Sequence, residues 1–504
     1  MGWYARYPIA FVVLLIPLLL VSACYSNNSS TRYPKPLPLQ AAGLLGDGIG
    51  PVAIVSPEEA GGASFVPGSN VLRLRNGDLR YLPVGETEPT RVSVDDPGAG
   101  SAVAASREWL SSGTIPGKKE SHRAAAERAL LDLRLLTGEG GATLAGPTSR
   151  WRYVWPRDAS FAAVAFAATG HHEEAGEIFT FLASIQEEDG GWEARYHRSG
   201  QFVSDGRTTQ LDATGWFLWA TWYAHVTDPE PDRADARTAK LWPAIASAAD
   251  KAAGSLNADG LPPGGPDYWE IRTWRPNLGT AAPLETGLRS AAALAHETDH
   301  KPEAHGYARS ARRLDGAIER RFAPYGYPRT TRLGSGADAA VNFLAPPFAP
   351  EEREVRVAID RAARLLTTPN GGVVPGEDWA QDPEVSWTPE TAFFALSAAA
   401  AGDEEKADRW LDWILDHRTK LGSLPEKIDG EGEPQAAAPL AWTSALVVLA
   451  LAAEDETLPV PPGQRLELNL LDFEGISRPD RPGGDHTGAD AAPVFQGACH
   501  AGFG

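Results

Sequence analysis

Apolar residues recur at helical spacing along most of the chain. From about residue 101 onward, Ala- and Leu-rich segments with a period near 3.6 residues alternate with Gly- and Pro-rich loops. The pattern predicts twelve helices, near 101–112, 120–137, 158–169, 171–187, 207–226, 237–256, 280–298, 302–322, 350–367, 388–401, 403–418 and 438–454. Twelve helices in alternation are typical of six helical hairpins closed into a ring. We therefore expect an all-α fold, an (α/α)6 barrel, over residues 101–457.

Two neighbouring helical segments differ in how they should be covered. Residues 159–166 are nearly all small or apolar, which is typical of an inner helix that is packed on both sides. Residues 171–187 carry several glutamates, which is typical of an outer helix with one solvated face. This alternation supports a barrel with an inner and an outer layer.

The regions flanking the helices have a different texture. Residues 49–100 hold short alternating runs, and Asn76-Gly77 between two of them predicts a β-hairpin, so we expect a small β-rich lead-in. Residues 25–48 begin with a Ser-, Asn- and Pro-rich stretch that predicts a flexible tether. Residues 458–504 are rich in Pro, Gly and Asp, and we expect a disordered tail there.

Residues 1–24 predict a targeting segment. Arg6 is followed by an apolar run from Pro8 to Ala23, shorter than the roughly 20 residues that a spanning helix needs. The run ends in V-S-A-C, which resembles a bacterial lipoprotein signal with Cys24 as the lipidated residue. The protein would then be exported to the outer face of the cytoplasmic membrane, held by a lipid anchor only. A plain cleaved signal peptide, giving a secreted protein, or an uncleaved anchor are the alternatives.

Charge and composition exclude several classes of function. The net charge of −20 argues against nucleic acid as a partner, because phosphate binding needs a basic surface. Two cysteines, Cys24 and Cys499, cannot form a disulfide framework or a zinc site. The eleven histidines are scattered, and no dense carboxylate loop is present. We therefore expect no metal and no cofactor, and the sequence leaves the oligomeric state open.

Aromatic and charged residues concentrate in loops that precede helices. Indole rings stack on the apolar faces of sugars, although most of the sixteen tryptophans taken singly are better explained as core residues. Charged side chains such as an Arg–Asp pair can bind the vicinal hydroxyls of a sugar. The candidate sugar-binding residues in the first two loops are Trp155, Arg157, Asp158, Trp192, Arg195 and, at the next helix, Asp212. For Asp158 the alternative is a helix cap.

Two further loops each carry a glutamate, Glu270 and Glu426. Glycoside hydrolysis needs two carboxyl groups on opposite sides of the scissile bond, one protonated and one ionised. Trp269 beside Glu270 predicts an apolar setting with a raised pKa, and Lys427 beside Glu426 predicts an ionised carboxylate. Taken singly, either glutamate is more simply explained as a surface residue.

The loops together resemble glycoside hydrolase family 15, the glucoamylases and their relatives glucodextranase and trehalase. The similarity runs from about residue 151 to 453 through W-P-R-D-A-S at 155–160, G-W-E-A-R-Y at 191–196, Y-W-E at 268–270, W-T-P-E-T at 387–391, L-P-E-K at 424–427 and L-A-W-T at 440–443. The resemblance implies an (α/α)6 barrel and inverting hydrolysis at the non-reducing end of α-glucans, with release of β-glucose.

The resemblance also implies roles for individual residues. Glu270 matches the general acid and Glu426 the general base, while Arg157 and Asp158 match the pair that holds the terminal glucose. Trp155, Trp192, Trp269 and Trp442 match the aromatic walls of that subsite, and Glu377 and Asp378 match the acidic pair of a family loop. An inverting mechanism predicts that the two glutamate carboxyls lie roughly 6.5–9.5 Å apart.

The sequence departs from the fungal members of the family at two places. Val373 and Val374 stand where those members carry an arginine, which leaves the contacts to the second sugar open. Ile271 follows Glu270 where they have a second acidic residue, and this difference is expected to alter the pKa of the acid. Linkage preference among α-1,4, α-1,6 and trehalose therefore stays open.

Two other functions remain as alternatives. An (α/α)6 phosphorylase would carry a phosphate site in place of the base, but a glutamate occupies the position of the base. A surface glycan-binding protein without catalysis would need the aromatic walls alone, and the two carboxylates in their motifs argue against it.

Overall fold

The computed structural model of the protein describes residues 36–462. In this part of the chain all twelve predicted helices are present, and their ends differ most at the sixth, which begins at Pro231 rather than 237. The helices are α1 Pro97–Ser111, α2 Glu120–Thr137, α3 Pro156–Ala168, α4 His172–Ser184, α5 Asp212–Thr227, α6 Pro231–Gly254, α7 Leu278–Glu297, α8 Lys301–Arg321, α9 Arg353–Leu366, α10 Thr388–Ala400, α11 Glu404–Asp416 and α12 Ala441–Asp455. Two 3-10 helices, Ala323–Tyr325 and Ala339–Leu344, complete the helical elements described.

The helices form two concentric layers. The inner ring runs α3, α5, α7, the 3-10 helix Ala339–Leu344, α10 and α12, and α12 packs against α3 to close it. The outer partners, in the same order, are α4, α6, α8, α9, α11 and α2. The predicted all-α barrel is confirmed, with each inner element backed by one outer helix.

The membership of the ring differs from a simple pairing of consecutive helices. α1 lies outside the ring, where it packs on α2 and on the β-rich region, and Ala99 is buried beside Val71 and Leu79. The inner position left open is taken by the 3-10 helix Ala339–Leu344, and α2 pairs with α12 from the other end of the chain. A six-residue 3-10 segment has too little periodicity to be recognised as a helix from sequence.

Burial separates the layers as the residue pattern predicts. Every residue of α3 except Ala168 is buried, whereas α4 buries only the stripe formed by His172, Ala175, Ile178, Phe179 and Leu182. α5 and α7 approach so closely that a Cβ on Gly215 would lie 2.1 Å from the carbonyl oxygen of Pro283. Glycine is required at that crossing because no side chain fits.

The predicted β-rich lead-in is present as short antiparallel strands. The strands are β1 Gly43–Leu45, β2 Ala53–Val55, β3 Ser64–Phe65, β4 Leu72–Arg73, β5 Leu79–Tyr81 and β6 Thr90–Val92. β1 pairs with β2, and β3 to β6 form a meander in sequence order. The predicted hairpin lies between β4 and β5, where Leu72 pairs with Arg80 and Gly77 adopts a φ of 90°.

The folded part begins earlier than the predicted tether allows. Residues 41–45 are buried, and Leu45 packs with Leu72 and Leu421. The Thr419 hydroxyl donates to the carbonyl of Ala42 at 2.6 Å. The tether prediction rested on Ser, Asn and Pro, but residues 41–45 are small or apolar and buried, and Gly43–Leu45 form β1. Within residues 36–48, therefore, the interpretation as a tether is corrected.

The end of the described chain also packs on the barrel. Leu458 is buried, and Arg289 in α7 donates to the carbonyl of Pro461. The predicted disordered tail therefore does not begin at Leu458. The rest of that tail, the signal segment and Cys24 lie outside the described residues. None of the helices that the structure describes combines the length and hydropathy needed to cross a bilayer.

Candidate active site

Acidic residues gather at one end of the barrel, where the inner elements begin. Asp158 lies in the first turn of α3, Asp212 is the first residue of α5, and Glu390 lies in the first turn of α10. Asp338 caps the 3-10 helix Ala339–Leu344 by accepting from the backbone N–H of Ala340. Helix N-termini carry partial positive charge, so their convergence favours carboxylates at this end.

The loop that carries Glu270 is a tight turn held by a buried ion pair. The N–H of Glu270 donates to the carbonyl of Asp267 at 2.8 Å. Arg329 donates to both carboxylate oxygens of Asp267, and its guanidinium lies 3.4 Å from the ring centroid of Trp269. The backbone of Glu270 adopts a φ of 58°, which strains a residue with a Cβ and is typical of functional sites.

The carboxylate of Glu270 has two strong donors. The indole Nε1 of Trp155 donates to one oxygen at 2.6 Å, and Nε of Arg207 donates to the other at 2.6 Å. Burial alone would raise the pKa of Glu270, but Arg207, Arg157 and Trp155 outweigh it and hold the pKa below its ordinary value. The sequence predicted a raised pKa for Glu270, and that prediction is wrong. The reason is Arg207, a distant residue that the sequence analysis did not connect with Glu270.

The loop that carries Glu426 is fixed by a small sheet of β7 (Ser386–Trp387), β8 (Lys427–Ile428) and β9 (Pro434–Gln435). The N–H of Glu426 donates to Ala437, and its carbonyl accepts from the N–H of Thr388 at the start of α10. Glu426 is therefore fixed to the first turn of an inner helix, at the same end of the barrel as Glu270.

The carboxyl group of Glu426 is more enclosed than that of Glu270. Its side chain is 14% exposed, against 24% for Glu270. Burial raises the pKa of Glu426, the nearby charge of Glu270 adds to the rise, and Lys427 at 3.6 Å and the indole of Trp151 at 3.3 Å oppose it. The sequence predicted that Lys427 would dominate, and in the structure burial outweighs it.

A buried cation lies on the floor of the site. Arg157 donates to Gln210 at 2.9 Å and to Asp212 at 3.2 Å, and its guanidinium lies 4.6 Å from the ring centroid of Trp442. Burial raises the pKa of Asp158 to about 7, although Arg157 opposes this rise. The structure therefore brings Arg157, Asp158, Asp212 and Trp442 together, as the sequence analysis predicted.

Two acidic residues of this floor were missed as site residues. Burial raises the pKa of Glu390 to about 8, and the charges of Glu426 and Asp338 contribute. Burial also raises the pKa of Asp338 to about 7, and Asp338 accepts a hydrogen bond from the Tyr268 hydroxyl at 2.6 Å. For Glu390 the signal was present, because it is the one charged residue in the otherwise apolar or neutral helix T-P-E-T-A-F-F-A-L-S-A-A-A.

The prediction of Trp192 as a wall of the sugar site is wrong. Trp192 is 1% exposed, packs on Phe217 of α5 and donates its indole N–H to the carbonyl of Leu182 in α4. The residue is part of the barrel core. Its loop resembled the others in composition, and only the packing shows which face the ring presents.

Arg195 packs against two aromatic residues of the site. It pairs with Asp205, and its guanidinium lies 4.4 Å from the ring centroid of Tyr153 and 5.1 Å from that of Trp155. It therefore holds the indole that bonds Glu270. Its predicted contact with a sugar stays a prediction.

Glu377 and Asp378 form one lip of the site. Glu377 accepts from the N–H of Ala337 at 2.6 Å, and Asp378 accepts from that of Gly336 at 3.3 Å. The preceding Gly376 lies against Trp269, since a Cβ there would be 2.5 Å from the indole. Both carboxylates join neighbouring loops, and their predicted contact with the second sugar stays a prediction.

Several buried polar atoms at this end have no hydrogen-bond partner among the described residues. They are the indole N–H groups of Trp269, Trp379 and Trp442 and one oxygen each of Asp158, Asp212, Asp338, Glu390 and Glu426. Buried polar groups are normally satisfied, so a cluster of such groups in one place indicates a site that binds a polar ligand. A sugar, with a hydroxyl on most carbons, offers the donors and acceptors that these atoms lack.

One group in the described chain has metal-ligand character, and it lies at the opposite end of the barrel. Ligand atoms of His122, Asp408 and Glu454 lie within 4.8 Å of one another. Lys119 already places its ammonium group 2.6 Å from Asp408. The absence of a metal stays a prediction.

Comparison with known proteins decides the family. The profile of the glycosyl hydrolases family 15 matches residues 120–387, which is more than half of the chain. The chain belongs to glycosyl hydrolase family 15. An uncharacterized glycosyl hydrolase of Methanocaldococcus jannaschii is 24% identical over 360 residues, which cover 66% of this chain and 56% of that relative.

Solved structures share the fold of this family 15 protein. A wild-type glycosidase superposes with a TM-score of 0.56 at 20% identity, covering 70% of this chain and 99% of that one. A bacterial glucoamylase in complex with acarbose has a TM-score of 0.55 at 16% identity, with 74% and 64% covered. The glucoamylase of Saccharomycopsis fibuligera has a TM-score of 0.54 at 14% identity, with 67% and 94% covered. The predicted family and fold are confirmed.

The family match includes one of the two glutamates and not the other. Glu270 lies inside the matched residues 120–387, whereas Glu426 and Trp442 lie beyond them. For this family 15 protein, the place of Glu426 in the site therefore rests on the geometry described above and on its motif.

Proposed function

We propose that the protein is an exo-acting, inverting glycoside hydrolase that releases β-glucose from the non-reducing ends of α-linked glucans or oligosaccharides. Glu270 acts as general acid and Glu426 as general base. The observation that carries the proposal is the presence of two enclosed glutamates in one site, among buried polar atoms that lack partners.

The reaction needs one displacement at the anomeric carbon. Glu270 gives its proton to the glycosidic oxygen as the bond from the anomeric carbon to that oxygen breaks. Glu426 accepts a proton from a water molecule, whose oxygen attacks the opposite face of the same carbon. The leaving sugar departs as an alcohol, glucose is released with inverted configuration, and the two carboxyl groups exchange their protons with solvent.

An exo mode needs a pocket that binds one terminal sugar. Arg157, Asp158 and Asp212 are buried at the starts of α3 and α5, and the guanidinium of Arg157 stacks on Trp442. This cluster offers charged groups to the hydroxyls of a terminal glucose. The glucoamylases among the solved structures, and a related glycosidase solved in complex with glucose, support glucose as the terminal unit.

The two roles can be separated with substrates that differ in leaving group. Fluoride leaves α-glucosyl fluoride with little need of a proton, whereas the sugar of a disaccharide needs one. Glu270→Gln should therefore lose disaccharide hydrolysis but keep much of the fluoride turnover, and Glu426→Gln should lose both. The matched control is Glu433→Gln, an exposed carboxylate on the β8–β9 hairpin. Loss of fluoride turnover in Glu270→Gln, with its retention in Glu426→Gln, would reverse the two roles.

Linkage is tested with a panel of maltose, isomaltose, trehalose and longer maltooligosaccharides. Shortening of the longer chains one glucose at a time supports the exo mode, and internal cleavage would contradict it. Turnover that depends on added phosphate would favour a phosphorylase, and binding without turnover of any member would favour a glycan-binding protein.

We also propose export as a lipoprotein, supported by the V-S-A-C sequence that ends at Cys24. The full chain should label with a radioactive fatty acid and fractionate with membranes, and Cys24→Ser should do neither. Membrane association of Cys24→Ser without label would favour an uncleaved anchor.

A further inference from the structure

Arg207 makes a contact that conflicts with the role of the acid. Its Nε donates to Glu270 at 2.6 Å, while Trp155 donates to the other carboxylate oxygen at 2.6 Å. A general acid must carry a proton on one oxygen and turn that oxygen toward the leaving group. Both oxygens of Glu270 accept hydrogen bonds, one of them from a cation. This arrangement favours the ionised carboxylate and leaves neither oxygen free to carry the proton.

The surroundings of Arg207 place it at the mouth rather than in the floor. Its side chain is 37% exposed, and it follows Gly206, which adopts a φ of 84°. Asp205 pairs with Arg207 and with the buried Arg195, so one side of the guanidinium is anchored to the body of the protein. The guanidinium can therefore turn away from Glu270 without losing its counter-ion.

We infer that Arg207 determines specificity for the leaving group: it pairs with Glu270 as the structure shows, and hydroxyls of the sugar on the leaving side draw it away. This inference rests on the proposed function. The side chain of Arg207 is 37% exposed, so solvent weakens its ion pair, and hydroxyls of a sugar can compete with Glu270 for the guanidinium. The sugar thereby frees the oxygen of Glu270 that must be protonated.

Other charged groups of the described chain lie near Glu270, but none of them is a cation that a sugar could displace from it. Arg157 on α3 is a second cation near it, but Arg157 is already bonded to Gln210 and Asp212. The carboxyl groups that face Glu270 are Asp158 on α3 and Glu426 on the β7–β8 side, and a negative charge on either favours the protonated acid. Arg207 is the cation in hydrogen-bond contact with Glu270 that lies at the solvent edge.

The test is the pH dependence of the full-length enzyme on the disaccharide that it hydrolyses fastest. The basic limb of kcat/KM reports the acid in the free enzyme, and that of kcat reports it in the complex. In the wild type the limb of kcat should lie at higher pH than the limb of kcat/KM. Arg207→Gln should move the limb of kcat/KM up toward that of kcat and raise KM, and Arg207→Lys should fall between. The control is Arg275→Gln, an exposed arginine in the loop of Glu270.

A second substrate shows whether the leaving sugar displaces Arg207 from Glu270 or whether Arg207 stays on Glu270 throughout. An aryl α-glucoside has no hydroxyls on its leaving group, so with it the limbs of kcat and kcat/KM should coincide in the wild type. An unmoved limb of kcat/KM in Arg207→Gln would overturn the inference. Equal upward shifts in kcat and kcat/KM would also overturn it, because Arg207 would then stay on Glu270 in the complex. Absence of turnover by the wild type on every α-glucoside would instead contradict the proposed function.

Discussion

The two ends of the barrel handle charge in opposite ways. At the far end, where α12 stops and α2 starts, Asp455 accepts from the N–H of Gly117 at 2.7 Å, and Glu454 lies 3.0 Å from Nδ1 of His122. Lys119 pairs with Asp408 at 2.6 Å. At the site end, buried acidic groups have oxygens without a hydrogen-bond partner among the described residues. The pKa of three of these groups, Asp158, Asp338 and Glu390, is raised to about 7 or 8.

The difference separates stability from function. The far end uses carboxylates to join elements that are distant in sequence, so removal of a charge there should weaken folding. The site end keeps Glu390 and Glu426 in surroundings that oppose their ionisation, so their replacement should weaken chemistry and leave folding intact or strengthened. Glu270 is the exception at this end, because Arg207 lowers its pKa. Strained or unsatisfied groups at functional sites follow this pattern in general.

The largest expected effect is on catalysis by the two glutamates. Glu270→Gln and Glu426→Gln should each lower kcat/KM on a disaccharide by about 10²- to 10⁴-fold, the usual worth of general acid–base catalysis. Glu426→Gln should unfold at a denaturant concentration equal to or above that of the wild type, because burial opposes the ionisation of Glu426. Glu270→Gln should lose some stability, because the ionised Glu270 is paired with Arg207. Steady-state kinetics measure the loss of activity, and denaturant unfolding measures the change in stability. Unfolding of Glu426→Gln at markedly lower denaturant would mean that Glu426 stabilises the fold.

The second effect is a pH-dependent gain in stability from Glu390→Gln. The folded pKa of Glu390 is raised to about 8, above its ordinary value of 4.5, so the folded state keeps a proton that the unfolded chain releases. The wild type therefore loses stability as pH rises from about 4.5 to about 8, by at most about 1.4 kcal/mol per pH unit for one group. The gain of the variant over the wild type should grow between pH 5 and 8 in thermal unfolding. A difference that is constant or shrinks with pH contradicts the buried neutral acid.

The third effect is a loss of stability at the far end. Glu454→Ala should cost about 1–3 kcal/mol because the buried His122 loses its acceptor, and activity should be unchanged. The hydrogen bond that the His122 ring donates to Glu454 raises the pKa of His122, so its contribution is full below about pH 6.5 and is lost as pH rises through the folded pKa. Chemical unfolding at pH 5.5 and pH 9 should show the larger loss at pH 5.5. A larger loss at pH 9, or a loss of activity at equal folding, would break the contrast between the two ends.

The smallest effect concerns a residue at the rim of the site. Trp274 is 83% exposed in the loop of Glu270, is held beside Arg272, and sits next to Thr273, which bonds Gly265. An exposed indole offers a stacking surface to sugars beyond the first two. Trp274→Ala should lower kcat/KM about 2- to 10-fold on long chains, the worth of one aromatic contact of about 0.5–1.5 kcal/mol.

The comparison for Trp274 is between long and short substrates. The same variant should leave maltose turnover and unfolding unchanged, and Trp274→Phe should retain most of the wild-type rate. Val84→Ala, an equally exposed hydrophobic residue in the β-rich lead-in, is the control. An equal loss on maltose and on long chains would mean that Trp274 acts on the first two subsites instead.

Local patterns sufficed for the helices but not for their partners. Periodicity located all twelve helices because burial on one or both faces determines which positions are apolar. The pairing of α2 with α12 and the place of the 3-10 helix Ala339–Leu344 depend on contacts between distant segments. The burial of residues 41–45 likewise depends on Leu421, which lies far along the chain.

In the site, too, local sequence predicted some features, whereas others depend on contacts between distant segments. Motifs identified Glu270, Glu426, Arg157 and Asp158, since each stands in a recognisable short sequence. The neighbours in sequence, Trp269 and Lys427, gave the wrong direction for both glutamate pKa values. The direction is set by Arg207 for Glu270 and by burial for Glu426.

The configuration of the first product tests the central claim most directly. Proton NMR spectra recorded during the first minutes of hydrolysis of the preferred α-linked oligosaccharide separate the two anomers of glucose before they interconvert. We predict that β-glucose appears first and that the α anomer follows only by mutarotation. Initial release of α-glucose would contradict the proposed inverting acid–base pair of Glu270 and Glu426.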